Sequence, residues 1–146
     1  AQEDAQFHYV SASPWHLYVP LSQFLQQEKF PVGTFHLKRF RVKDASVKNL
    51  FADPVAYKQS VIENLMRAFP KRKFLFVGDS GEKDPEVYGI LARKYPEQVM
   101  KILIRDVTKQ PRDADRYQSA FRDVSKDKWL LFQDANTVDP RMISDD

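Results

Sequence analysis

The residues best suited to chemistry lie in a short acidic loop that follows an apolar run. Residues 74–77 are all apolar, and Asp79 comes after them across a single glycine. Asp84 lies five positions after Asp79, at the start of the next predicted helix. Two carboxylates facing one oxygen-lined hole suit a hard cation such as Mg²⁺, which also takes water and phosphate oxygens as ligands. The alternative for Asp84 alone is an ordinary helix cap, because Asp before Pro is a common helix start.

Two other polar residues, Ser11 and Lys58, are of types that suit phosphate chemistry. Ser11 follows the β-prone run 7–10, and a small hydroxyl at a strand end can donate a hydrogen bond to a phosphate oxygen. Lys58 lies beside the apolar stripe of a helical pattern, where an inward ammonium group would neutralise phosphate charge. The alternatives are a turn serine and a solvated helix lysine, which are the commoner roles of these residue types.

The hydrophobic pattern predicts the elements that must position these side chains. Strands are predicted at residues 7–10, 35–42, 74–77, 99–104 and 129–132. Helices are predicted over residues 15–28 (regular from near Pro20), 54–69, from 85 onward, and around 117–124. The unbroken apolar run at 74–77 is typical of a strand covered on both faces.

Alternating strands and helices predict an α/β fold, a parallel sheet with helices on both faces. Ligands of such sheets bind at the carboxyl ends of the strands, which directs attention to Ser11, Asp79, Arg105 and Asp106. The 146 residues fit a single domain spanning 1–146.

Composition excludes several kinds of site but does not identify a partner. The chain has no cysteine, which excludes disulfides, thiolate metal sites and a cysteine nucleophile. Its net charge of +3 and pI near 9.1 permit an anionic partner without arguing for one. The sequence contains no run of about 18 apolar residues, so it predicts no membrane-spanning helix. The sequence does not decide between a cytoplasmic and a membrane-peripheral location.

Several separate segments resemble, in the same order, the catalytic domain of actin-patch-type phosphatidate phosphatases, a family of the haloacid dehalogenase (HAD) superfamily. The segments are Tyr-Val-Ser-Ala-Ser-Pro-Trp at 9–15, the helix that carries Lys58 and ends at Phe69-Pro70, Lys-Phe-Leu-Phe-Val-Gly-Asp-Ser-Gly at 73–81 with Asp-Pro-Glu at 84–86, and Ile-Arg-Asp-Val at 104–107. A strand serine, a helix lysine and Gly-Asp-(four residues)-Asp are similar to motifs two, three and four of that superfamily. The resemblance covers residues 7–107, and residues 108–146 are expected to form an extension with a helix and a short strand.

The resemblance implies an HAD-like, Rossmann-like parallel sheet and a Mg²⁺-dependent phosphatidate phosphatase, which converts phosphatidic acid to diacylglycerol and phosphate. By that analogy Ser11 holds a phosphoryl oxygen, and Lys58 bridges the nucleophile and the phosphate. Asp79 and Asp84 bind Mg²⁺, the latter directly or through water. Substrate binding is expected of Ser13, Ser80 and Arg105.

One of the family's catalytic motifs is missing from this sequence. The family's first motif is Asp-x-Asp-x-Thr at the end of an apolar strand, and it supplies the nucleophile and its acid–base partner. The chain has Asp-x-Asp only at 113–115, in a charged segment. Without that central strand its two neighbours would lie roughly 9.6 Å apart instead of about 4.8 Å. We therefore expect a fragment that is N-terminally incomplete and inactive alone, whose missing strand comes from another segment or chain. The alternative is a catalytically inactive HAD-like binding or structural module.

A basic stretch suggests a second partner. Its cations could meet the anionic head groups of a membrane surface, but a solvated strand edge is the favoured explanation. They are Lys38, Arg39, Arg41, Lys43 and Lys48. Nucleic acid is not expected, because the basic residues carry no recognisable binding motif and the net charge is small.

Overall fold

The computed structural model of the chain describes residues 5–39, 54–139 and 141. Strands and helices alternate through these ranges, which confirms an α/β fold with parallel sheets flanked by helices. The elements are β1 (Phe7–Pro14), α1 (Tyr18–Gln27), β2 (Gly33–Lys38), α2 (Pro54–Ala68), β3 (Phe74–Asp79), α3 (Asp84–Lys94), β4 (Val99–Arg105), α4 (Asp115–Ala120) and β5 (Trp129–Phe132). The predicted strand end at 42 and the basic residues Arg41, Lys43 and Lys48 lie outside the described residues.

Contacts within the chain define two compact units, Ala1–Ile62 (unit 1) and Glu63–Asp146 (unit 2), whose boundary falls within α2. The single domain over 1–146 stays a prediction. In the described part of the chain, no helix has both the length and the apolar character needed to cross a membrane.

Unit 1 is built on the parallel pair β1–β2, with α1 as the crossover between them. A Cβ at position 33 would lie 2.6 Å from the carbonyl oxygen of Phe7, so the first residue of β2 must be glycine for the strands to pair. β1 extends to Pro14, past the predicted end at residue 10. Its register shifts between Ser11 and Pro14, so the polar segment stays extended as a bulge instead of leaving as a loop.

Unit 2 contains a three-stranded parallel sheet in the order β3-β4-β5. The central strand β4 is the most buried, and its Ile102 and Ile104 have no exposed surface. α3 crosses between β3 and β4 and packs against α4 so closely that a Cβ on Gly89 would lie 1.9 Å from the carbonyl oxygen of Ala120. Aromatic packing continues to β5, where the Phe121 ring stacks on Trp129 at 4.4 Å.

Two sequence predictions about unit 2 were wrong in detail. Within the described ranges β3 is covered on one face: Phe76 is 6% exposed and stacks on Tyr88, whereas Val77 on the opposite face is 58% exposed. An apolar run therefore did not mean burial on both sides. The helix predicted through residue 124 ends at Ala120, because Asp123 has a φ of 62°, in the left-handed region, and the chain turns there.

Candidate metal and phosphate site

The predicted acidic loop, residues 79–84, joins the carboxyl end of β3 to the start of α3. Asp79 is the last residue of β3, and its Oδ1 accepts hydrogen bonds from the backbone N–H groups of Gly81 at 2.7 Å and Glu82 at 3.2 Å. These two bonds fix the direction of the carboxylate at the strand end. The loop therefore presents Asp79 in a single, internally supported orientation.

Asp84 turns its carboxylate toward the strand and away from its own helix. It is 5% exposed, and its Oδ2 accepts a hydrogen bond from the backbone N–H of Asp79 at 3.1 Å. The cap position of α3 is Lys83, and no side chain caps it. The helix-cap interpretation of Asp84 was therefore wrong, and the two carboxylates belong to one hydrogen-bonded arrangement.

Gly78 makes this arrangement possible. A Cβ at that position would lie 2.3 Å from Oδ2 of Asp84 and 2.7 Å from its Cβ, distances that real side chains do not tolerate. The Gly-Asp sequence at the end of β3 thus leaves space into which the Asp84 carboxylate folds back.

A buried tyrosine lies beside the carboxylates of the loop. The pKa of Tyr88 is raised above its usual range by burial and then by the negative charges of Asp84, Asp79 and Glu82. The Tyr88 hydroxyl donates to the carbonyl oxygen of Val77 at 3.0 Å, so it stays a neutral donor beside these carboxylates.

The residues of the loop fit Mg²⁺ in chemistry. The donors are hard carboxylate oxygens, and a Mg²⁺ ion typically takes only one or two of these from the protein. No group of three or more His, Cys, Asp or Glu side chains suited to a metal occurs in the described ranges, so a cage made of protein ligands alone is not formed there. Asp79 and Asp84 are the residues that would hold the ion.

Arg116, which the sequence prediction missed, holds the acidic loop from α4. Its guanidinium donates to the carbonyl oxygens of Ser80, at 2.5 Å, and Glu82. It also makes a bidentate pair with Glu86, at 2.9 and 3.1 Å. Burial raises the pKa of Glu86, but the hydrogen bond from Arg116, a backbone hydrogen bond and the positive charges of Arg116 and Lys83 together lower it below its usual value. A lone arginine in a charged segment gave no signal of this role.

Ser80 and Arg105, both predicted to bind substrate, differ in accessibility. Ser80 has no exposed surface, and its Oγ accepts hydrogen bonds from the backbone N–H groups of Val107 and Thr108 at 2.9 and 3.0 Å. It therefore ties the acidic loop to the segment after β4. Arg105 is exposed at the carboxyl end of β4, opposite Asp79 in register, and lines a shallow depression with Phe132 and Asp134.

The predicted phosphate-binding residues Ser11, Ser13 and Lys58 lie in unit 1. The Ser11 hydroxyl donates to Oγ of Ser13 at 2.9 Å, and the Ser13 backbone N–H donates back to Oγ of Ser11 at 3.1 Å. This closed pair on the β1 bulge places two hydroxyls side by side. Lys58 on α2 is 8% exposed, so the interpretation as a solvated helix lysine was wrong.

Comparison with known proteins identifies the family. Residues 1–106 match the model of the family described as "Phosphatidate phosphatase APP1, catalytic domain". The chain belongs to this family. It is 37% identical over 102 residues, 70% of its length, to phosphatidate phosphatase APP1 of Saccharomyces cerevisiae. It is 33% identical over 105 residues, 71% of its length, to an uncharacterised protein of Schizosaccharomyces pombe. No solved structure matches.

The chain spans about 17% of the length of each of these two relatives. The part that matches the APP1 catalytic family contains Ser11, Lys58, Asp79 and Asp84. It ends before α4 and β5, so Arg116 reaches the acidic loop from outside the matched segment.

Proposed function

We propose that this chain is part of a Mg²⁺-dependent phosphatidate phosphatase, which hydrolyses phosphatidic acid to diacylglycerol and phosphate. The observation that carries the proposal is the acidic loop, in which the buried Asp84 carboxylate accepts a hydrogen bond from the backbone N–H of Asp79 at the carboxyl end of a parallel strand. Membership of the APP1 catalytic family supports the lipid substrate.

Asp79 and Asp84 would hold Mg²⁺ at the end of β3. When bound, the ion would offset the negative charge of the substrate phosphate and orient its oxygens. The paired hydroxyls of Ser11 and Ser13 would donate to phosphoryl oxygens, and the Lys58 ammonium would offset charge that develops during transfer. These roles use the residue types that phosphate chemistry needs.

We further propose that the sheet is of the HAD type and that its central strand comes from outside these 146 residues. No Asp-x-Asp-x-Thr follows an apolar run in the sequence, so the chain itself offers no aspartate nucleophile. β1 and β3 belong to separate sheets, and among the described residues β3 pairs only with β4. A strand edge without a partner leaves backbone groups unsatisfied, which supports an additional strand in the active protein.

The second candidate is an HAD-like module that binds but does not react. The absence of the nucleophile motif favours it, and it predicts that no upstream Asp-x-Asp-x-Thr belongs to the native protein. Intact-mass measurement and N-terminal sequencing of the native protein separate the two candidates.

The decisive experiment measures phosphate release from a short-chain phosphatidic acid with and without Mg²⁺. We expect none from the 146-residue chain alone and Mg²⁺-dependent turnover from the intact protein that carries it. Asp79→Ala in the intact protein should abolish that turnover, whereas the control Asp113→Ala, in an exposed segment, should leave it unchanged. Activity retained by Asp79→Ala would refute the metal assignment, and activity of the chain alone would refute the missing-strand proposal.

A further inference from the structure

The helix that follows the paired serines leaves its apolar side chains in solvent. None of the ten residues of α1 is buried, although the helix and its flanks are rich in aromatic and aliphatic residues. The exposed set, called here the α1 surface, comprises Trp15, Leu17, Tyr18, Val19, Phe24 and Phe30. Val19 is 58% exposed and Phe24 is 53% exposed, which makes this surface unlike the interior-facing helices of unit 2. Exposed apolar side chains gathered on one helix and its flanks are typical of an interaction site.

The rings of the α1 surface are ordered by contacts within unit 1. Trp15 and Tyr18 stack with a centroid distance of 5.3 Å and an interplanar angle of 11°. The edge of Tyr18 also meets Phe35 of β2 at 5.2 Å, which fixes the pair against the sheet. The rings are thus held in place before any partner arrives, so binding would cost little conformational entropy.

A cation borders the α1 surface. The guanidinium of Arg39 lies 5.1 Å from the ring centroid of Trp15, whereas the Lys38 ammonium lies 6.0 Å from the ring centroid of Tyr57 on α2. Residues 5–39 contain Lys29, Lys38 and Arg39 but a single carboxylate, Glu28. Tryptophan and tyrosine beside cations are typical of the membrane–water interface, where the rings lie at head-group level and the cations meet anionic lipid.

We propose that the α1 surface is the site at which this protein docks onto an anionic lipid bilayer, with α1 lying in the interface. This docking role rests on the proposed function, because docking serves an enzyme whose substrate is a membrane lipid. Ser13 lies two positions before Trp15, so docking would bring the paired serines to the level of the lipid phosphates. A buried apolar face combined with cationic attraction is the usual basis of such reversible binding.

The first test uses the full 146-residue chain and two kinds of vesicle, pure phosphatidylcholine and phosphatidylcholine with phosphatidylserine. Phosphatidylserine is anionic but carries no phosphomonoester, so its binding does not depend on catalysis or on the metal site. We expect co-sedimentation with the anionic vesicles, weakened by added salt. The chain has two tryptophans, of which Trp129 is 5% exposed and Trp15 is 43% exposed. A blue shift of emission on binding would therefore come from Trp15, and Trp15→Phe should remove it.

A matched pair of variants tests the surface itself. Val19→Asp combined with Phe24→Asp should lower the vesicle partition coefficient by about tenfold or more, because two apolar anchors are replaced by anions. The control Phe69→Asp changes a side chain that is 47% exposed in unit 2 and should leave partitioning unchanged. Circular dichroism of each variant checks that the fold persists, and Arg39→Gln supplies a milder variant, expected to weaken binding to anionic vesicles only.

Three results would overturn the proposal. The first is failure of the chain to bind anionic vesicles, and the second is equal binding by the double variant and the wild type. The third is a dimer in lipid-free solution that the double variant abolishes, because the α1 surface would then contact a second copy of the chain. Vesicle binding by the 146-residue chain, together with absent phosphatidate hydrolysis by the intact protein that carries it, would support the docking surface and count against the proposed function, so the two failures are distinguishable.

Discussion

The two units of the chain use the same parallel strand–helix–strand plan but bury their helices very differently. In unit 2, α3 places Val87 and Leu91 in the interior with no exposed surface, against a β4 whose Ile102 and Ile104 are equally buried. In unit 1, the equivalent crossover α1 has no buried residue. The difference shows that unit 2 is organised around a core that positions the acidic loop, whereas unit 1 keeps apolar surface available for contact.

The largest expected effect comes from making the same substitution in both units. Leu91→Ala should lower the free energy of unfolding by about 2–5 kcal/mol, because it leaves a cavity in the core of unit 2. Leu17→Ala, at a position 37% exposed beside α1, should cost about 1 kcal/mol or less. Urea denaturation of both variants measures the contrast, and equal losses would contradict the difference in burial.

A second prediction concerns pH and the hydrogen-bonded cluster around Glu63 in unit 2. Hydrogen bonds from Lys94 and Tyr95 lower the pKa of Glu63 from 4.5 to about 2, and Arg67 donates to the same oxygen at 2.9 Å. Because the folded-state pKa is depressed, the stabilisation is complete above pH 4.5 and is lost as the pH falls from 4.5 toward 2.

Glu63→Gln should therefore lower stability at neutral pH and flatten its pH dependence between about pH 4.5 and 2. Thermal unfolding across that range, with the exposed Glu97→Gln as control, measures the effect. An unchanged acid profile in Glu63→Gln would show that this cluster does not link α2 to α3 energetically.

A third prediction sharpens the role of α4 in unit 2. Arg116→Gln removes the hydrogen bonds to Glu86 and most of those to the acidic loop, and should cost about 1–3 kcal/mol. Amide hydrogen exchange should quicken at Gly81 and Glu82, whereas Arg122→Gln, an exposed arginine of the same unit, should change neither quantity. Unaltered exchange in Arg116→Gln would mean that the loop is held by its own hydrogen bonds alone.

Periodicity and turn chemistry were enough to predict the alternating elements and the acidic loop. Apolar runs found β3, β4 and β5, and Asp84 before Pro85 correctly marked the start of α3. These features depend on residues close together in sequence, so local patterns contain them.

The features that sequence did not predict depend on distant contacts. The approach of Arg116 to Ser80 joins residues 36 positions apart, and no local pattern encodes it. The exposure of Val77 and the burial of Lys58 likewise depend on which neighbouring elements cover each face. An aspartate at a helix start that folds back to the preceding strand, as Asp84 does toward β3, looks the same in sequence as a helix cap.

The central claim, that the acidic loop binds Mg²⁺, is tested most directly by titrating Mg²⁺ into the isotope-labelled chain and following backbone amide signals by NMR. We predict saturable shifts at Gly81 and Glu82, whose N–H groups donate to Asp79, and their loss in Asp79→Asn. The absence of saturable shifts at millimolar Mg²⁺, or shifts that persist in Asp79→Asn, would contradict the account.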